Sequence, residues 1–188
     1  MLKKIKNRIY KIRFYMIWDG EKRANYLKKK NILKGIGNNC MFQSRVFPMD
    51  PQLLKIHDNV TIAANVTFCT HDAIRHVLMY KYKRRFPIYT GCIEIMDNVF
   101  IGIGSIIMPD VKIGKNCIVA AGSIVTKDVP DNSIVAGIPA KVIGSFEDLV
   151  KKREKSEYNE SNDKISLNEI EKNWKYFYKK RMSKNEFC

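Results

Sequence analysis

Three histidines, His57, His71 and His76, are the side chains of this sequence best suited to moving protons near neutral pH. His71 opens the run Thr70-His71-Asp72-Ala73-Ile74-Arg75-His76, which holds two imidazoles and a carboxylate. Such a group suits general acid–base work, because imidazole titrates near neutral pH. His71 is the first candidate for the base. Asp72 ranks second, as a group that orients the imidazole or binds a substrate, and equally as a turn-forming aspartate. His57 falls where neighbouring turns carry glycine, and histidine tolerates the left-handed backbone region, so a turn role is expected for it. Further on, Lys81-Tyr82-Lys83-Arg84-Arg85-Phe86 interleaves cations with aromatics. That mixture suits an acidic sugar or a diphosphate, and a solvated loop face equally well.

The frame for these residues lies just after them. Isoleucine or valine recurs every six residues at Ile95, Ile101, Ile107, Ile113, Val119 and Val125. Four residues after each of the first five stands a small or modest side chain: Val99, Ser105, Val111, Cys117 and Ser123. A period of six fits neither an amphipathic helix nor one long strand. It fits a parallel β-helix in which three hexapeptides close one triangular coil and each aliphatic residue stacks on its counterpart 18 residues later. Asp97-Asn98, Gly102, Gly114, Lys115-Asn116 and Gly122 fill the turns. Earlier, the beat is heard at Ile36, Phe42, Ile56, Ile62 and Phe68, is lost from Cys69 to Cys92, and resumes from Ile95 in phase with itself. A gap of that kind predicts a coil with a loop extruded from it, here 69–94, and such loops carry function. The histidine pair lies inside it.

The expected organisation is an N-terminal helical segment (1–34), a β-helix domain (35–143) and a C-terminal helical extension (144–188). In the first segment Ile5, Ile9, Ile12 and Met16 share one helical stripe opposite lysines and arginines. That stripe is expected to pack on the solenoid end, with contact of residues 1–18 to an anionic membrane surface as the alternative. Asp19-Gly20 breaks the helix and Glu21–Lys30 forms another. Past the repeat, a helix is expected near Phe146–Lys155, a linker over Ser156–Asp163, and a last helix opened by the capping box Ser166 and Glu169.

Net charge is +15, from 34 Lys+Arg against 19 Asp+Glu, which favours anionic partners without choosing among them. No basic stretch forms a nucleic-acid module. Five cysteines, odd in number and without a CxxC pair, read as reduced thiols of a cytosolic protein. There is no signal-peptide pattern and no apolar run of about 18 residues.

Several ordered motifs together resemble one family. Asn65-Val66-Thr67-Phe68 with Thr70-His71, Val99-Phe100-Ile101-Gly102, Ala121-Gly122-Ser123-Ile124-Val125-Thr126-Lys127-Asp128 and Ala136-Gly137-Ile138-Pro139-Ala140-Lys141-Val142-Ile143 are similar to the hexapeptide-repeat acyltransferases. The galactoside/maltose and polysaccharide O-acetyltransferases are the subgroup most alike. The resemblance implies an all-β left-handed parallel β-helix, with helical extensions at both ends here. It also implies a homotrimer with active sites between subunits, acetyl-CoA as co-substrate without a metal, and a saccharide acceptor in surface polysaccharide assembly. His71 matches the family's catalytic histidine. Gly102, Gly104, Ala121 and Gly122 match the small-residue edge along which the pantetheine arm bonds in β-sheet fashion. Thr126, Lys127 and Lys141 match positions near the nucleotide phosphates. On the acceptor side the family often has an asparagine where this chain offers Gln43 or Arg45, and His76 and Arg84 complete the candidate acceptor contacts. An amino sugar or an antibiotic hydroxyl as acceptor, and a zinc enzyme of the γ-carbonic anhydrase type using His57, His71 and His76, are the alternatives.

Overall fold

The computed structural model describes residues 2–154 and 166–182. It divides into two compact units, Met1–Lys151 and Lys152–Cys188. The first is a parallel β-helix with three faces. One face stacks β1 (Gly35–Ile36), β3 (Leu54–Ile56), β6 (Ile93–Ile95) and β9 (Val111–Ile113). The second stacks β2 (Met41–Phe42), β4 (Val60–Ile62), β7 (Val99–Ile101), β10 (Cys117–Val119) and β12 (Ser133–Gly137). The third is β5 (Thr67–Phe68), β8 (Ile106–Ile107) and β11 (Ile124–Val125).

The six-residue beat is the inward set of this coil. In each three-residue strand the first and third side chains are buried and the middle one faces out, as pleating requires. Register pairs Ile95 with Ile113, Ile101 with Val119 and Ile107 with Val125, so like residues stack one coil apart. Each fully buried isoleucine contributes about 1.5–3 kcal/mol relative to exposure. Columns that read Ile or Val downstream end in Phe42 and Phe68 upstream, whose rings lie 6.2 Å apart.

One corner, between the first and second faces, is held by an amide ladder. Asn39, Asn59, Asn98, Asn116 and Asn132 all have positive φ, and each donates its side-chain amide to the next, at 3.1, 3.0, 2.9 and 2.8 Å. Asparagine adopts the left-handed region at little cost, and here its side chain also bonds a neighbour. The turn role expected of His57 through left-handed backbone is not what is found. Positive φ falls two residues later, at Asn59, while the His57 ring bonds Glu94 Oε1 at 2.9 Å. That contact and the Lys55 ammonium hold the Glu94 carboxyl below the usual carboxylate range.

Both ends of the coil carry added elements. Past the coil, β12 turns through Gly137 and the cis Ile138–Pro139 bond into antiparallel β13 (Ala140–Ser145), and α4 (Phe146–Glu154) follows. At the other end, α1 (Leu2–Met16) leads to α2 (Gly20–Lys29), which is N-capped by Asp19 and packs on β1 and β2. Buried Arg23 donates from Nη1 to the carbonyls of Phe42 (2.7 Å) and Gln43 (2.9 Å), and from Nη2 to the carbonyl of Ile17. It fastens the α1–α2 turn to the first coil. Burial and nearby Arg45 lower its pKa.

Two expectations change here. The Ile9, Ile12 and Met16 stripe of α1 does not pack on the solenoid; it is exposed. The helix docks instead through Phe14, wholly buried against Phe42 and Phe47 with ring separations of 5.9 and 5.2 Å. An aromatic edge-to-face cluster at the open end of the coil outcompetes the aliphatic stripe for that site. The all-β description is also too narrow: beyond the helices expected at the two ends, the extruded loop itself holds a helix, α3 (Ile74–Tyr82). In the second unit, α5 (Leu167–Met182) opens on the expected capping box: Ser166 Oγ and backbone N–H donate to Glu169 Oε2, and the Glu169 N–H donates to Ser166 Oγ. The linker expected over Ser156–Asp163 lies outside the described residues.

Candidate active site

The loop leaves the coil after β5 and rejoins it at β6. Phe68 pairs with Ile107 across it. Chain separation between stacked residues is 39 here against 18 in the next coil. Its neck is narrow. Gly91 N–H donates to Thr70 O at 2.9 Å, and His71 and Thr90 form an antiparallel bridge. Gly91 is forced to be glycine by the coil beneath, since a Cβ there would lie 2.4 Å from Asp110 N.

His71 is therefore fixed at a strand end and half-buried, with 35% of its side chain exposed. Its Nδ1 lies 2.6 Å from Asp50 Oδ2. Since an ionised carboxylate only accepts, Nδ1 carries the proton and Nε2 presents a lone pair when the ring is neutral. Asp50 is itself held: the buried Thr70 hydroxyl donates to Oδ2 at 2.9 Å and accepts from the Asp50 N–H at 3.3 Å. Asp72, the carboxylate next in sequence, does not play this part. Its Oδ1 accepts the Ile74 N–H at 3.0 Å and opens α3. Cys69, beside the site, has its thiol pushed up by burial, which suits an inert filler and not a nucleophile.

The other candidates are distributed around the coil. His76 lies exposed on α3, and the Arg84 guanidinium sits 4.3 Å over the Phe86 ring. Gly104 and Gly122, both at positive φ with open space where a Cβ would stand, form an exposed edge with Ala121 between the second and third faces. Gly102 is buried instead, and a Cβ on it would lie 2.5 Å from Ala121 N, so it serves close stacking of turns. Thr126 and Lys127 are exposed after β11, on the same corner from which the His71 loop is extruded two coils earlier. Lys141 is exposed on β13. Gln43 and Arg45 follow β2: Gln43 is exposed, and Arg45 stacks 3.9 Å over Trp18. The His71 corner and the Gly104–Gly122 corner are thus opposite borders of the three-stranded face.

Asp50 and Thr70 are the site residues that sequence reasoning missed. A signal was present: stacked residues in the first two coils are 20 apart, as in Ile36 with Ile56, and Asp50 precedes Thr70 by 20. The three histidines are not gathered, since His57 engages Glu94 and His71 engages Asp50. Among the described residues no cluster of three or more His, Cys, Asp or Glu is placed to hold a metal.

Known proteins place this arrangement. The profile of the bacterial transferase hexapeptide (six repeats) matches residues 92–127. Protein CapG of Staphylococcus aureus is 43% identical over 115 residues, covering 60% of this chain and 66% of its own length. The galactoside O-acetyltransferase of Escherichia coli (strain K12) is 38% identical over 113 residues, 60% of this chain and 54% of that protein. YvoF of Bacillus subtilis (strain 168) is 33% identical over 134 residues, covering 70% and 72%. A solved galactoside acetyltransferase in complex with coenzyme A superposes with a TM-score of 0.59 at 25% identity, covering 86% of this chain and 88% of that one. The chain belongs to the hexapeptide-repeat transferases, and its neighbours imply a left-handed coil. It spans about half to two-thirds of the first curated relatives it matches.

Proposed function

We propose that this protein is an acetyl-CoA-dependent O-acetyltransferase that acetylates a saccharide hydroxyl in surface polysaccharide assembly. The observation that carries the reading is the His71–Asp50 contact of 2.6 Å at the neck of the loop. His71 Nε2 takes the proton of the acceptor hydroxyl as its oxygen attacks the thioester carbonyl. The tetrahedral intermediate collapses, the C–S bond breaks, and the proton passes from Nε2 to the departing CoA thiolate. Asp50 holds the tautomer and orientation that keep Nε2 free as acceptor. Asp72 has a structural part in this reading.

Gly104, Ala121 and Gly122 leave backbone open to the amides of the pantetheine arm, and Thr126, Lys127 and Lys141 supply a hydroxyl and cations for the nucleotide phosphates. The coenzyme A complex of a superposable neighbour supports that co-substrate, and the named galactoside enzymes support a saccharide acceptor. Gln43, Arg45, His76 and Arg84 are the acceptor-side candidates. Because the histidine corner and the glycine–alanine edge border opposite sides of one face, a site using both closes between chains, which supports a homotrimer. A cytoplasmic location belongs to the same reading.

The test is release of CoA thiol from acetyl-CoA across a panel of sugars and nucleotide-sugars. His71→Ala should cut turnover by about 10²–10⁴-fold while leaving assembly and acetyl-CoA binding intact. Full activity in that variant would remove His71 from the mechanism; no thiol release with any saccharide would remove the acceptor class.

A further inference from the structure

The α1 helix presents an apolar surface that the fold leaves uncovered. Ile9, Ile12 and Met16 are 56, 61 and 71% exposed, and Trp18 just beyond is 83% exposed. One helical turn separates these positions, so they form one stripe. The exposure is imposed by the docking of the helix. Phe14, on the other side, is wholly buried among aromatic rings, and Arg23 binds the carbonyls of Ile17 and Trp18. The helix cannot roll to hide the stripe without extracting Phe14.

Charge selects the occupant. Helix α1 carries Lys3, Lys4, Lys6, Arg8, Lys11 and Arg13 and no acidic residue. Helical spacing sets Arg8 and Arg13 on the two borders of the stripe, and both are exposed. Stacking two such helices from two copies of the chain would oppose like charges around the apolar contact. An anionic lipid surface offers the complement instead: acyl chains for the stripe, phosphates for the rim, and a headgroup layer for the indole of Trp18.

We propose that α1 docks the protein peripherally on anionic membrane, with Ile9, Ile12, Met16 and Trp18 inserted and Arg8 and Arg13 on the headgroups. The docking needs no acetyl-CoA and stands or falls apart from the transfer chemistry.

The full chain is sedimented with vesicles of phosphatidylcholine alone and of phosphatidylcholine with phosphatidylglycerol. Partition onto the anionic vesicles should exceed that onto neutral ones by about tenfold or more, and fall with added salt. The double variant Ile12→Asp with Met16→Asp should lose about tenfold or more of that partition. Arg8→Gln with Arg13→Gln should lose roughly tenfold on anionic vesicles alone. Thiol release with a soluble acceptor and the oligomeric state should be unchanged in both variants. Equal binding to the two kinds of vesicle, absence of binding, or full binding by the Asp variant would overturn the proposal. So would a change of oligomeric state in the Asp variant, which would make the stripe a contact between copies.

Discussion

Between residues 93 and 125 and between 69 and 92 the same chain follows opposite rules. In the first stretch β6, β7 and β8 each have a parallel neighbour on both sides, and inward side chains stack in columns of like residues. In the second, a helix stands on a bridged neck and exposes Ile74, Val77 and Tyr80. The coil is fixed by repetition, and in the first stretch its interior columns are aliphatic apart from small side chains such as Ser105 and Cys117. The loop is fixed at its base alone, and the base is where His71, Thr70 and Asp50 meet. Within the loop, order is concentrated at the neck, where these three side chains are bonded to one another.

That division can be broken from either side. The largest effect is expected inside the coil, where Ile101→Ala should lower unfolding free energy by about 2–5 kcal/mol in urea titrations, while thiol release per folded molecule stays near wild type. A loss under 1 kcal/mol would mean that the column is not the source of rigidity. Next comes the neck: Asp50→Asn should lower kcat by about 10–10²-fold with the KM for acetyl-CoA unchanged and with little change in stability, and Asp50→Glu should restore part of it. A fall in stability that accounts for the lost rate would make Asp50 a packing residue. The smallest effect tests the corner ladder. Asn98→Ala should cost about 1–2 kcal/mol by forcing alanine to positive φ. Asn98→Gly, which keeps φ and removes the amide bonds, should cost less. Equal losses would assign the corner's stability to the ladder bonds and not to backbone conformation.

The coil was legible because its determinant is local and repeated: each isoleucine at spacing six reports one buried strand position. The loop was legible as an interruption of that beat, and His71 as the imidazole at its entrance. Asp50 is not, because its link to His71 runs across coils, whereas Asp72 is the aspartate adjacent in sequence. Sequence neighbours at a loop entrance compete for the backbone N–H groups that start a helix, and Asp72 takes one of them. The α1 stripe predicts packing, because amphipathic periodicity reports that a face is apolar without reporting what covers it. Phe14, off the stripe, found the better partner among the phenylalanines at the coil end.

The narrow neck of the loop has an architectural consequence. Chain direction enters at His71 and returns at Thr90 as paired backbone, so whatever lies between is a cassette plugged into an otherwise periodic column. Substituting one cassette for another leaves the stacking of Phe68 on Ile107, and of every coil after it, in register. The molecule can change what its outer surface meets at that corner as freely as a tool changes its bit, with the imidazole staying in the chuck.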